Sequence, residues 1–493
     1  MFLRIFALFA VLFVFTAKGY IEVSDTALSV ETAESILSRH ALDVPYADGA
    51  TFRARDGRSY SKYGLGLAIT YVPVVAAARV ASRVSHLPES ALIGFFVSFV
   101  NVPFSLLLLW TFKRLLERWR VEEARVALLV IGLGLGTLCW RYAGYDFSEA
   151  MQGALLLVVY EATTRGERRD LVIGGSAYGF LLLVKLVYAA FFPLFAAFIL
   201  FHASSTWSKR IRDLVAFCAP IAVAILFVFS MNAIRFGNPL ESGYGGEANQ
   251  FIARQLATTV PKLLLSFDKG LLVFSPIVIL GLLGWRGFVR ERRAEAALAA
   301  SCIVVNLLLA GAWHSWMGGC SWGPRLLVPV IALWLAPAAF WLQSGNVRRR
   351  FAIAAAVTGV SIVSQVSGVL VKDQEIHDIA ETMLTPTERE QMISEMSASY
   401  VLLAHKLRGR EEVYVPRDFG VADNRPIDLR AFGTLRGLNL WTEQLADHLH
   451  KPRLRWLGVI GGLASLSLFF SSIRELRRRA RTPGRFDDTG VRA

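Results

Sequence analysis

Cysteine and charge are both scarce in this chain of 493 residues. It has four cysteines, and Cys139, Cys218 and Cys302 lie in apolar segments, so a disulfide framework is not expected. Charged residues make up 19% of the chain, hydrophobic residues make up 54%, and the mean hydropathy is +0.45. This composition excludes an ordinary soluble globular protein and predicts an all-α polytopic membrane protein.

The sequence also shows no internal repeats, low-complexity tracts or phosphate-binding glycine loop. The glycines at 132, 134 and 136 lie inside an apolar segment, a position typical of close helix packing in membranes. No small-x-small cleavage pattern follows the first apolar segment, so we predict that this segment remains as an uncleaved first span.

Basic residues are in excess, with a net charge of +14, but their distribution argues against a nucleic-acid partner. They cluster in short loops between apolar segments and in the tail after Arg474, as the positive-inside rule requires. We therefore predict that these loops and both termini are cytoplasmic, in the inner (cytoplasmic) membrane. The basic loops lie at 113–125, 165–170, 205–213, 286–297 and 348–350.

Apolar stretches long enough to span a bilayer recur along the chain, and we predict about twelve transmembrane helices. They lie near residues 5–17, 90–112, 124–141, 149–164, 171–187, 188–204, 214–234, 271–289, 297–313, 326–343, 351–371 and 454–473. Segment 64–83 is also apolar, but a crossing there would place nearly every later basic loop outside. We therefore predict an interfacial or re-entrant helix at 64–83.

This topology divides the chain into three parts. Residues 1–371 form a transmembrane domain whose first outer loop, 18–89, carries interfacial helices. Residues 372–453 form a small outer region with a helical segment, for which a capping box at 385–388 is the start signal. Residues 454–493 form the last span and a basic cytoplasmic tail.

Candidate catalytic carboxylates lie in two of the predicted outer loops. Asp25 follows the first span, Asp146 and Glu149 lie in a short hairpin, and Lys62 closes the first loop. One carboxylate can accept the proton of a nucleophile while a cation or divalent metal offsets charge on a phosphate leaving group. We predict catalytic roles for Asp25 and Asp146 and a divalent metal at Asp146 and Glu149. The alternative is that these are solvated interfacial charges.

Two further features suit a substrate. Lys185 is a lone charge in an apolar run, where it either snorkels to the interface or binds a ligand. The stretch 313–325 is rich in tryptophan and glycine and ends in arginine; aromatic faces suit sugar rings, and a guanidinium can fork onto a phosphate. We predict substrate contacts for Trp316, Trp322 and Arg325, although an interfacial aromatic belt would show the same tryptophans.

Several short motifs over residues 1–345 resemble the GT-C superfamily of membrane glycosyltransferases, and in particular bacterial protein mannosyltransferases and lipid A aminoarabinose transferases of family 39. Asp25 resembles the acidic residue that follows the first span in that superfamily, although Thr26 replaces the usual glutamate. The other motifs are Lys62-Tyr63-Gly64, Tyr142-Ala143-Gly144-Tyr145-Asp146, Val184-Lys185-Leu186, Gly270 to Pro276, and Trp316 to Arg325.

The resemblance implies transfer of a sugar from a polyprenyl-phosphate donor to a lipid, glycan or protein acceptor at the outer face of the cytoplasmic membrane. It implies that Lys62, Tyr63 and Lys185 contact the donor. Two alternatives stay open: a lipid or polysaccharide transporter, which predicts charged or broken helices near the bilayer midplane, and a scaffold that uses the last outer loop.

Overall fold

The computed structural model is mostly helical. It describes residues 1–45, 50–54, 56–202, 206–245, 249–377, 395–408, 412–415, 425–428, 437–449 and 451–481.

The described part of the chain consists mainly of helices, with three short strands after helix α2 (Ser24–Arg39) and two more after helix α19 (Glu395–Leu407). The helices are α1 Phe2–Phe15, α2 Ser24–Arg39, α3 Leu65–Ser85, α4 Glu89–Val97, α5 Asn101–Arg118, α6 Glu123–Leu135, α7 Cys139–Ala143, α8 Glu149–Arg165, α9 Arg168–Val184, α10 Phe192–His202, α11 Trp207–Phe236, α12 Leu256–Leu265, α13 Leu271–Phe274, α14 Val278–Glu291, α15 Arg293–Ala312, α16 Ile331–Leu335, α17 Ala338–Gln343, α18 Val347–Leu370, α19 Glu395–Leu407, α20 Trp441–His448 and α21 Arg455–Arg481. The strands are β1 Asp43–Val44, β2 Thr51–Arg53, β3 Ser59–Ser61, β4 Glu412–Val415 and β5 Arg425–Asp428. Short 3-10 segments cover Leu186–Phe191, Ala253–Gln255, Arg325–Val330 and Pro452–Leu454.

Among the described residues, seven helices are long and apolar enough to cross a membrane. They are Leu65–Ser85, Glu89–Arg118, Trp207–Phe236, Arg293–Ala312, Arg325–Gln343, Val347–Leu370 and Pro452–Leu476. The chain is thus a multi-pass membrane protein, but the predicted count of about twelve is not confirmed. Several predicted spans are shorter helices; the one at 124–141 divides near Gly136 into α6 and α7.

Helix α3 corresponds to the segment predicted to lie on the membrane surface. It has 21 residues and contains Pro73, and it packs against α2, α4 and α9. Its start fits closely against the end of α9, where a side chain at Gly66 would collide with the backbone of Val184. By length and composition α3 is also a candidate span, so its surface position stays a prediction.

The first loop, residues 18–89, combines α2 with a small antiparallel sheet of strand order β1-β3-β2. This loop was predicted to carry interfacial helices, and the structure has helix α2 there, with Val30 and Ala33 buried. The sheet was not predicted; it pairs Tyr60 with both Asp43 and Phe52 and leads the chain back to Lys62.

Helix α8 lies in the core of the molecule. Nearly all of its residues are buried, and it packs against α5, α9 and the 3-10 segment Arg325–Val330. This arrangement brings Glu149, at the first turn of α8, close to the start of that segment.

The last loop, residues 372–453, contributes α19, the antiparallel pair β4–β5 and α20. Helix α19 packs against α18, so this part of the predicted outer helical segment is present. The predicted capping box at 385–388 lies outside the described residues.

Candidate active site

Asp146 holds the chain where it enters α2. One of its carboxylate oxygens accepts hydrogen bonds from the backbone N–H groups of Glu22 and Val23, both at 3.0 Å. The other oxygen is 2.9 Å from the Nζ atom of Lys18, and the side chains of Lys18 and Asp146 are both fully buried. Thr26 donates a hydrogen bond of 2.6 Å to the backbone carbonyl of Asp146.

These contacts suit a structural role for Asp146, and its catalytic role stays a prediction. Both of its oxygens are occupied by groups of the protein itself, so the described geometry makes it a positioning residue for α2. Thr26, which replaces a glutamate of the GT-C motif, is part of the same connection. The sequence did not indicate this role, because the role depends on the pairing of Asp146 with Lys18. From its position at the end of the first apolar segment, Lys18 resembles an ordinary interfacial charge.

The residues predicted to bind a metal do not form a metal-binding set. Asp146 is paired with Lys18, and Glu149 faces Lys185 and Arg325, so each carboxylate already lies beside a cation. In the part of the chain that the structure describes, no group of three or more His, Cys, Asp or Glu side chains is placed to hold a metal ion. The donor set therefore does not fit a divalent metal at these two residues.

Asp25 lies in the first turn of α2, where the helix dipole favours a carboxylate. Its side chain is half-buried and lies close enough to the phenol of Tyr63 to affect it electrostatically. Burial, followed by the negative charge of Asp25, raises the pKa of Tyr63 well above its usual range. Tyr63 therefore stays protonated beside the Asp25 carboxylate.

Tyr63, which lies close to Asp25, also lies close to a second aromatic residue, Tyr244. The two ring centroids are 6.4 Å apart, and the Nζ atom of Lys62 lies 5.6 Å from the first centroid and 5.7 Å from the second. Arg235 fixes the backbone here by donating hydrogen bonds to the carbonyls of Ser61, at 3.2 Å, and Tyr63, at 3.0 Å. The predicted group of Asp25, Lys62 and Tyr63 is thus assembled in one place.

A largely apolar cavity of about 360 Å³ adjoins this group. It is lined by Glu149, Gln152, Lys185, Leu186, Val187, Tyr188, Phe191, Ser242, Tyr244, Phe251, Asn306, Leu309, Ala310, Trp313, Leu326 and Pro329. A smaller cavity of about 50 Å³ shares Lys185 and Tyr244 with it and is also lined by Lys62. Apolar walls with a few polar groups are typical of a binding site for an amphipathic molecule.

Two charged side chains, Glu149 and Lys185, line the large cavity, and Arg325 lies behind Glu149. The Glu149 Oε1 atom is 3.6 Å from Lys185 Nζ and 4.0 Å from Arg325 Nε. Lys185 lies at the break between α9 and the following 3-10 segment, so the chain presents this charge where helical hydrogen bonding is interrupted. Lys185 and Arg325, both predicted from the sequence, therefore share one site.

Arg325 is held in place by its surroundings. Its guanidinium lies over the ring of Phe147, with the central carbon 3.8 Å from the ring centroid. Gly318 has a φ of +79°, and a Cβ atom there would lie 2.8 Å from the Arg325 side chain. Gly318 thus adopts a backbone conformation that favours glycine and also makes space for the arginine.

The two tryptophans predicted to bind substrate have other surroundings. Trp322 is fully buried against Phe274, at 4.9 Å between ring centroids, and its backbone carbonyl accepts a 2.9 Å hydrogen bond from Tyr142. It is a core residue, because the chain turns inward after Gly319. Trp316 is half-buried beside Lys262 and is not part of the cavity wall, whereas Trp313 lines the cavity.

The arrangement of the helices has counterparts among solved structures. The chain is similar in structure to ArnT from Cupriavidus metallidurans bound to undecaprenyl phosphate, with 15% sequence identity and a TM-score of 0.52 over 83% of this chain and 70% of that one. Its similarity to the apo state of the same ArnT has a TM-score of 0.50, with the same identity and coverage. At this identity the likeness shows the fold. No family model and no curated protein matches the sequence.

Proposed function

We propose that the protein is a glycosyltransferase that moves a sugar from a polyprenyl-phosphate donor to an acceptor at the outer face of the cytoplasmic membrane. The observation that carries this proposal is an apolar cavity with cations at its edge: Lys185 lines it, Arg325 lies beside its Glu149, and Lys62 and Tyr63 lie beside its Tyr244. An ArnT structure of the same fold is bound to undecaprenyl phosphate, which supports a donor of this class.

The lipid part of such a donor suits the cavity wall, and its phosphate suits the cations. A polyprenyl chain is apolar, so it gains free energy by contact with Leu186, Phe191 and Leu309. Arg325 and Lys185 donate charge-assisted hydrogen bonds to the phosphate oxygens. Lys62, which lines the adjoining cavity, adds a third positive charge near the same position.

Asp25 is the residue placed to act as the general base. The acceptor hydroxyl attacks the anomeric carbon of the sugar, its proton passes to the Asp25 carboxylate, and the bond between that carbon and the phosphate oxygen breaks. The polyprenyl phosphate leaves with the electron pair of that bond. The cations stabilise the charge that develops on the leaving phosphate.

The acceptor is a lipid, a glycan or a protein that reaches the Asp25 side of the cavity. The last loop, through α19 and α20, is positioned beside the membrane domain and is the region we propose for acceptor selection.

A transporter without chemistry remains a second candidate, because α9 is broken at Lys185 and transport proteins use broken helices to hold charged substrates. The two functions differ in whether the sugar–phosphate bond is cleaved. Purified protein in bilayer nanodiscs is incubated with polyprenyl phosphate carrying a radiolabelled sugar and with a membrane extract as the acceptor source.

A glycosyltransferase releases polyprenyl phosphate without its sugar and places the label on another molecule. Intact labelled donor throughout, in a sample that binds it, would support the transporter instead. Protein with Lys62→Ala, Lys185→Ala and Arg325→Ala combined is the control, and it should bind less donor than the wild type.

A further inference from the structure

Glu149 is the charged group of the cavity wall that the proposed reaction does not use. Its side chain is only 2% exposed, and neither carboxylate oxygen has a hydrogen-bond partner among the described residues. Burying an ionised carboxylate without hydrogen bonds is costly, so a stable fold needs nearby compensation. The position of Glu149 in the wall of the large cavity indicates a role towards the ligand.

Compensation comes from the two cations that we assign to the donor phosphate. Lys185 and Arg325 lie 3.6 and 4.0 Å from the Glu149 carboxylate, too far for a good hydrogen bond. The Nε atom of Arg325 is itself buried without a partner in the described structure. The other titratable groups that interact with Glu149 are the phenols of Tyr142 and Tyr188.

Lys185, Arg325 and Glu149 together carry one positive charge, and Lys62 adds a further one from the adjoining cavity. Glu149 therefore lowers the attraction of this site for each negative charge that a ligand brings. A polyprenyl-phosphate sugar is a phosphodiester with a single negative charge. The product of sugar transfer is a phosphomonoester, which carries about −1.5 to −2 at pH 7 because its second pKa is near 6. The product therefore brings an additional negative charge next to Glu149.

We infer that Glu149 weakens the binding of the spent phosphomonoester more than that of the singly charged phosphodiester donor. The inference rests on the proposed function and adds a specificity role that the reaction scheme lacks. Repulsion between Glu149 and the second charge of the product weakens product binding and speeds product release. At separations of a few ångströms in a partly buried site, we expect an effect of about ten- to a hundredfold in affinity.

Binding measurements with two sugar-free lipids test this inference without turnover. Polyprenyl phosphate represents the monoester, and its methyl ester represents the diester. Kd values are measured for the full-length wild type and Glu149→Gln in nanodiscs at pH 8. Glu149→Gln should bind the monoester about ten- to a hundredfold more tightly, while its affinity for the diester changes much less.

Two variants act as controls. Glu161→Gln removes a carboxylate from the other end of α8, where it lies near Arg114 and Arg165, and should change neither affinity. Glu149→Asp retains the charge and should retain the wild-type preference. An equal change for both lipids in Glu149→Gln would indicate a structural role and overturn the inference.

The pH dependence of binding provides a further test. Between pH 5 and pH 8 the monoester gains its second charge and the diester does not. The ratio of monoester to diester affinity should therefore rise more with pH in Glu149→Gln than in the wild type, and equal pH dependences would overturn the inference. If the wild type binds neither lipid, the proposed function itself fails, which distinguishes the two failures.

Discussion

Arg325 is the residue whose predicted role depends most on its chemical type. Its guanidinium is fixed over Phe147 and beside Glu149, and a planar fork can make two bonds to a phosphate where an ammonium makes one contact. We expect Arg325→Ala to weaken donor binding about ten- to a hundredfold. Arg325→Lys should also weaken donor binding, but by a smaller factor. Equilibrium binding of a polyprenyl-phosphate sugar measures both.

The exposed Arg254 offers a matched control, because its replacement by alanine removes the same charge outside the cavity wall. Equal donor affinity in the wild type, Arg325→Lys and Arg325→Ala would remove Arg325 from the donor site.

Asp25, Lys62, Lys185 and Arg325 could be predicted as candidates because their charges stand out at the ends of apolar segments. The proximity of Lys185 and Arg325 could not, because it arises from how α8, α9 and the Arg325–Val330 segment pack. Trp322 shows the opposite case. From the sequence, a tryptophan near the end of a span is expected to be interfacial or to bind a ligand. Trp322 lies in the core because the chain turns inward before it.

At the scale of elements, the position of α2 depends on a contact between two loops. Asp146→Asn removes the charge that pairs with buried Lys18 and weakens two backbone hydrogen bonds at the approach to α2. We expect a loss of about 1–3 kcal/mol in stability, because the two backbone hydrogen bonds weaken and buried Lys18 keeps only Glu22, at 2.7 Å, as its carboxylate partner. Turnover should fall as well, since Asp25 is on the first turn of that helix.

Thermal unfolding in detergent, with turnover measured on the same preparations, checks this prediction. Asp56→Asn is the control, because Asp56 lies on an exposed turn of the same loop and should cost little. An Asp146→Asn protein with wild-type stability would show that the contact does not hold α2.

Helix α19 is attached to the membrane domain through a buried ion pair of Glu395 with Lys269, at 2.9 Å. Burial raises the pKa of Glu395 to about 7 from an ordinary 4.5, and Lys269 opposes this rise. Burial also raises the pKa of Asp373, which is nearby and paired with Arg141.

A raised carboxyl pKa means that the folded state holds the proton more tightly than the unfolded state does. Glu395 therefore makes the attachment of α19 weaker as pH rises from about 4.5 to about 7, with little further change above that. The change is on the order of 1–3 kcal/mol. Limited proteolysis of the last loop at pH 5 and pH 8 should show more cleavage at pH 8.

Glu395→Gln cannot ionise, so most of this difference between pH 5 and pH 8 should disappear in the variant. Digestion of a denatured sample at both pH values corrects for the protease itself. Equal cleavage of the wild type at pH 5 and pH 8 after this correction would contradict the assignment.

For the whole molecule, the class could be predicted from composition and the number of spans could not. Hydropathy identifies apolar stretches, but it does not show that helices end near Gly136 and Lys185. It also does not distinguish a lipid-facing span from a helix such as α8 that is surrounded by protein. The small sheet of the first loop was also missed, because its strands have only two or three residues each.

Loop charges still predict the orientation of the chain, with loop 113–125 in the cytoplasm and residues 56 and 400 outside. Single cysteines at these places, in a protein without its own cysteines, are exposed to an impermeant thiol reagent in intact spheroplasts. Residues 56 and 400 should be labelled and loop 113–125 should not. Labelling of loop 113–125 would mean that α3 crosses the membrane.

The central claim is that Asp25 acts as the base in sugar transfer, and Asp25→Asn tests it most directly. Asparagine keeps the size of the side chain but cannot accept the proton. We expect turnover of a polyprenyl-phosphate sugar to fall about 10²–10⁴-fold while donor affinity and thermal stability stay near wild type. Glu31→Gln, on the same helix, should leave turnover unchanged. Near-normal turnover by purified Asp25→Asn would contradict the account.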